Sequence, residues 1–142
     1  MMIRHLFFVP GIAALLAACA DTGGPADPAD VEGQYQLVEL DGEPVPYDRP
    51  NGCCIYTGGS LTLEAGQYQL SIDFRNKNNG IVGVSTEFGT YSATGRSLTF
   101  NWGGGDFYHR LYDAQVEGST ITLYLGGDAP GAADQFRAVF RK

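Results

Sequence analysis

The stretch YQLSIDFR puts Tyr68, Leu70, Ile72 and Phe74 on one side of an extended chain and Gln69, Ser71, Asp73 and Arg75 on the other. The same period of two returns in GQYQLVEL (33–40), SLTLEA (60–65), SLTFNW (97–102), TITLYL (120–125) and QFRAVFRK (135–142). Successive side chains of a strand point to opposite faces, so each segment buries one side only. Turn signals separate them at Asp41-Gly42, Ala65-Gly66, Asn76 to Gly80, Thr94-Gly95 and Glu117-Gly118. CCIYTGG (53–59) leads into SLTLEA, and Gly58-Gly59 predicts a bulge or a sharp bend there. IVGVSTEFGTYSA (81–93) reads as one long strand or two short ones bent at Gly83 and Gly89, and FYHRLYDAQV (107–116) as a further strand. EPVPYDRPNG, with three prolines, reads as a loop or edge excursion, and GGGD (103–106) and GGDAPGAAD (126–134) as flexible loops. About eight one-sided strands joined by short turns pair antiparallel and need one shared interior, in a sandwich or a closed up-and-down barrel. Closure removes both unpaired edges. Eight strands is also the count at which a barrel interior is just filled or holds one small ligand. The reading is therefore all-β, an eight-stranded antiparallel up-and-down barrel.

The first residues belong to something else. Arg4 precedes LFFVPGIAALLAA (6–18), a short apolar run broken by Pro10-Gly11. A basic start, a short apolar middle and small residues at the end mark an export signal. A membrane-spanning helix needs about 20 apolar residues. Leu16-Ala17-Ala18-Cys19 resembles the lipobox of bacterial lipoproteins. That resemblance implies a diacylglycerol on the Cys19 sulfur, cleavage before Cys19, and fatty acylation, such as with palmitate, of the new amino group. Two or three acyl chains hold a protein at a membrane far more firmly than one. Ala20 stands where, in enteric bacteria, an Asp resembles an inner-membrane retention signal, so the periplasmic face or surface of the outer membrane is favoured if the cell is Gram-negative. ADTGGPADPAD (20–30) has no apolar period and reads as a linker. The expected organisation is a lipoprotein signal peptide over 1–18, lipidated Cys19 with a short disordered linker to 32, and a barrel domain over 33–142.

The formal charge is −7, more acidic still without Arg4, and the basic residues are scattered. Both facts argue against a nucleic-acid partner. With Cys19 assigned to lipid, Cys53 and Cys54 remain, and they are adjacent. The favoured reading is one core-facing and one outward thiol on a strand. A disulfide between them, with a redox or ligand-gating role, is the alternative, since an exported protein meets oxidising conditions. His109 is the one histidine of the mature chain. It has no G-x-S-x-G elbow to serve as base for and no C-x₂-C pair to share a metal with. No P-loop lysine follows the glycine-rich stretches. No catalytic residue, cofactor or metal is expected.

GQYQLVELDGEPVPY, GGSLTLEAGQYQLSIDFR, TEFGTYSATGRSLTF and YDAQVEGSTITLYL, closing in FRAVFRK, together resemble the lipocalin-like domains of small bacterial lipoproteins. The resemblance rests on the order of these strand-turn units over most of residues 33–142 and implies a small meander barrel. The G-x-W opening of eukaryotic lipocalins is absent, with Gly33 and Tyr35 in its place, so no ligand carries over. The aromatics Tyr35, Tyr68, Phe74, Tyr91, Phe100, Trp102 and Phe136 sit mostly in the apolar phase of their strands. They either line a pocket for a small hydrophobic molecule or fill the core. The first expectation is a non-enzymatic, lipid-anchored envelope barrel that binds or shields such a molecule. The alternative is a packed barrel acting as a structural or protein-interaction module of the envelope through its loops at 43–52, 76–80 and 126–134.

Overall fold

The computed structural model describes residues 28–105, 111–126 and 135–142. Cys19, the signal segment and His109 lie outside the described residues. The strands are β1 (Gly33–Leu40), β2 (Glu43–Pro44), β3 (Tyr47–Asp48), β4 (Cys54–Glu64), β5 (Gln67–Asn76), β6 (Val82–Thr94), β7 (Ser97–Gly105), β8 (Leu111–Glu117), β9 (Thr120–Leu125) and β10 (Phe136–Arg141). Each of β4 to β9 pairs antiparallel with the next, β10 pairs with β1, and β1 pairs with β4, which closes an eight-stranded barrel. The short β2 and β3 lie against β1 and β4. The expected all-β up-and-down barrel is therefore the fold.

Period-two patterning explains the interior. Tyr35, Leu61, Leu63, Leu70, Ile72, Leu98, Ile121, Leu123 and Phe140 belong to one contiguous buried cluster. The phase breaks at four places, each a register shift. In β4, Cys54 and Tyr56 are buried before the shift, and Leu61 and Leu63 after it. One extra residue at Thr57 moves the inward set from even to odd numbers. The Gly58-Gly59 pair permits this, because a Cβ on Gly59 would meet the Ser71 carbonyl oxygen at 2.6 Å. Similar shifts occur in the β1–β10, β6–β7 and β8–β9 ladders. Bulges bend strands and raise local twist, which closing a small barrel requires.

Two segments depart from expectation, and a third resolves an open alternative. Of the two readings of 81–93, the single long strand holds: β6 runs over Val82–Thr94 and pairs continuously with β5 from Val82 to Thr90. Gly103–Gly105 continue β7 instead of forming a loop, because Gly104 and Gly105 pair with Phe88 and Glu87. The end of the expected linker joins the folded body: Pro28–Val31 is one helical turn (α1), and Val31 is 2% exposed. Tyr35 donates its hydroxyl to the Val31 carbonyl at 2.7 Å, and the Ala65 amide donates to Glu32 Oε1 at 2.8 Å. A lone valine among Pro, Ala and Asp has no periodicity to read, so only the tertiary contact reveals its burial.

The two barrel ends differ. Tight turns at 65–66, 95–96 and 118–119 gather at one end, where α1 and Lys142 cover the opening; the Lys142 ammonium lies 5.1 Å from the Tyr35 ring centroid. At the other end lie the 41–53 and 77–81 connections, and there β7 and β9 finish and β8 and β10 begin.

Candidate functional site: the loop-bearing rim, the interior and the outer face

Most of the aromatic candidates are packed against one another. Tyr68 meets Phe100 edge-on at 4.9 Å, Tyr91 meets Phe100 at 6.5 Å, and Tyr56 meets Phe136 at 5.4 Å. Tyr35, Tyr68, Tyr91, Phe100 and Phe136 are all buried. Phe74 is half-buried at the rim beneath Tyr56, its strand neighbour, and against Gly83, where a Cβ would meet the ring at 2.6 Å. Trp102 holds the inward phase of Leu98 and Phe100 but is 41% exposed, because it lies next to the β7 register shift. The structure thus gathers five of the seven candidates into the core and leaves Phe74 and Trp102 towards the loop-bearing end.

One polar cluster lies inside. Ser85 and Glu87 are buried on the inner face of β6. Glu87 Oε1 accepts from the Tyr68 hydroxyl at 2.6 Å and from the Leu111 amide at 3.0 Å. Among the described residues the β7–β8 ladder runs only from Ser97–Thr99 to Asp113–Gln115. Glu87 therefore reaches from β6 to the first residue of β8 and satisfies an amide there, as buried donors require. No sequence pattern signals this: the apolar residues Val82, Val84 and Phe88 of β6 hold the outward phase, and Glu87 falls in the phase of Gly83, Ser85 and Gly89.

At the rim, Lys77 ties two loops together. Its amide donates to the Cys53 carbonyl at 2.8 Å, and its ammonium donates to Asp48 Oδ1 at 2.6 Å and to the Arg49 carbonyl at 3.1 Å. The Arg49 guanidinium lies 4.9 Å from the Phe136 ring centroid, a cation–π contact that covers the core at this end. Asp41 and Arg137 bond reciprocally: the Asp41 amide reaches the Arg137 carbonyl at 2.8 Å, and the Arg137 amide reaches Asp41 Oδ1 at 2.9 Å. Burial pushes the Tyr56 phenol up, with Asp41 adding to the shift and Arg49 opposing it. Tyr47 is shifted the same way, by burial first and then by Asp41. Cys53 and Cys54 are joined by a disulfide. The favoured expectation of two separate thiols is thereby corrected. Cys54 is buried and Cys53 exposed as strand alternation requires, but Cys53 precedes β4, so regular extended geometry does not hold the two sulfurs apart.

Ile81, Val82 and Val84 are 61%, 72% and 58% exposed at this same end, beside Lys77. Two open grooves lie outside the barrel. One, of about 580 Å³, runs past Thr62, Glu64, Gln67, Gln69 and Phe88; the other passes Glu32, Gln34, Thr62 and Glu64. Among the described residues no group of three His, Cys, Asp or Glu side chains could hold a metal ion.

No protein-family model matches the chain, and neither a curated protein nor a solved structure matches it. The barrel itself is thus the extent of the demonstrated likeness to lipocalin-like domains.

Proposed function

We propose that the chain is a non-enzymatic lipoprotein of the cell envelope, anchored through Cys19 at the outer membrane, and that its packed barrel is a protein-interaction module working through the loop-bearing rim. The observation that carries this reading is the rim itself. Two of the three expected interaction loops meet there under Lys77, next to the exposed Ile81, Val82 and Val84. A contiguous apolar patch edged by polar groups suits a protein partner. Of the third loop, at 126–134, residues 127–134 lie outside the described residues, but β9 and β10 bring both its ends to the same rim. The rival role, carriage of a small hydrophobic molecule, needs space that Tyr35, Tyr68, Tyr91, Phe100 and Phe136 occupy in the described interior.

Native mass spectrometry of protein extracted from its own membranes tests the reading. A complex with an envelope protein, lost in the Val82→Ser/Val84→Ser variant, supports it. A stoichiometric small apolar molecule retained without a protein partner overturns it in favour of carriage. Metabolic labelling with a radioactive fatty acid tests the anchor, with label expected on the natural chain and absent from Cys19→Ser.

A further inference from the structure

The outer face of β1, β4, β5 and β6 carries an unusual row of side chains. Strand register aligns Gln34, Thr62, Gln69 and Phe88 across four adjacent strands. A second row lies beside it: Gln36, Ser60, Ser71 and Thr86. Neither row contains a charge, in a chain with 16 acidic and 9 basic residues. The outer surfaces of small proteins are ordinarily dense in mixed charges. All these side chains are exposed or half-buried, and both grooves cross this face. Thr62 and Glu64 border both grooves, so the two lie side by side across β4. At 4.7–4.9 Å per strand step, the row from Gln34 to Phe88 is about 14 Å long, which suits an elongated chain better than a single small molecule.

Phe88 closes the row. It is 54% exposed, and its strand partner is Gly104. A Cβ on Gly104 would meet the ring at 2.7 Å, so the glycine is what allows the ring to settle against β7. Amide side chains both donate and accept, as do hydroxyls. Planar amides beside an exposed aromatic ring therefore match a ligand that bears hydroxyls around its edge and C–H groups on its face. Serine is depleted in protein–protein interfaces, so this face differs in kind from the apolar rim.

We propose that this face binds a neutral glycan strand, with Phe88 stacking against one pyranose ring and Gln34, Thr62 and Gln69 bonding hydroxyls along the chain. Glu64 and Glu32 stand at the border of the grooves. They accept from sugar hydroxyls and repel acidic polysaccharides, so the site discriminates by charge. The site lies on the barrel wall and depends neither on the Cys19 anchor nor on a partner at the rim.

The test uses the full-length protein in detergent micelles. Binding of two neutral oligosaccharides, cellotetraose and tetra-N-acetylchitotetraose, is measured by calorimetry alongside an acidic one, a galacturonic acid tetramer. Binding of at least one neutral oligosaccharide and none of the acidic one is expected. Phe88→Ser and Gln69→Ala each weaken it about tenfold, while Tyr124→Ser, at an exposed site on β9, leaves it unchanged. Circular dichroism and the unfolding midpoint establish that the variants are folded. If Phe88→Ser does not fold, Gln69→Ala and Gln34→Ala decide. No binding by either neutral oligosaccharide, stronger binding of the acidic one, or neutral binding untouched in the folded variants each overturns the proposal.

Discussion

Glu87 and Tyr68 share a 2.6 Å hydrogen bond inside the barrel, and the same carboxylate oxygen holds the amide of Leu111. One buried acidic side chain thus joins β5, β6 and β8. Removing it strands two donors, and a buried unsatisfied group costs about 1–3 kcal/mol. Glu87→Leu is expected to lower unfolding free energy by about 3 kcal/mol in urea titrations. Glu87→Gln, which keeps an acceptor, costs less. In a double-mutant cycle with Tyr68→Phe, the coupling should exceed about 0.5 kcal/mol.

Gly89 and Gly80 separate crowding from backbone strain. A Cβ at Gly89 would collide with the Asn101 carbonyl oxygen and approach Tyr68 Cε1 to 2.8 Å. At Gly80 φ is +71° and nothing lies within 4 Å. Gly89→Ala is expected to cost about 3 kcal/mol, as overpacking against backbone does. Gly80→Ala costs only the left-handed backbone penalty, about 1–2 kcal/mol. Equal losses in thermal unfolding would show that the interior near β7 yields more readily than the packing implies.

Lys77 holds the rim more than it holds the fold. Its ion pair with Asp48 is partly exposed and solvent-screened, so Lys77→Ala should change global stability by less than about 1 kcal/mol. The loop it pins loses its tie. Hydrogen exchange at the amides of 49–53 should accelerate, and limited proteolysis should cut there first. Unchanged exchange would mean that the loop is held by other contacts, such as Arg49 over Phe136.

The raised phenols of Tyr56 and Tyr91 bear on stability in alkali. Burial is the main cause in both, reinforced at Tyr91 by Glu32. Unfolded tyrosine ionises near pH 10. Above that, the unfolded chain has lost protons that the folded chain keeps, so stability falls as pH rises; below it, these groups contribute no pH dependence. The urea midpoint should fall beyond about pH 10, and Tyr56→Phe should flatten that fall.

Reduction gives a chemical check on Cys53 and Cys54. Denatured protein treated with a dithiol should gain two titratable thiols that the untreated protein lacks, even in the Cys19→Ser variant. Two free thiols before treatment would restore the picture of one inward and one outward cysteine.

The strands, their turns, the apolar phase of every long strand but β6 and the break at Gly58-Gly59 were legible in the sequence, because side-chain alternation is a local property of extended chain and glycine marks where it breaks. So was the choice of aromatics such as Tyr68 and Phe100, though their phase alone does not separate core from pocket. What only the tertiary structure decided depends on residues far apart in the chain. It set Val31 beneath Tyr35, bent β7 through Gly103–Gly105, and turned Glu87 inward to Leu111. It also lined up Gln34, Thr62, Gln69 and Phe88, since register across four strands follows from barrel closure and cannot be read from any one of them.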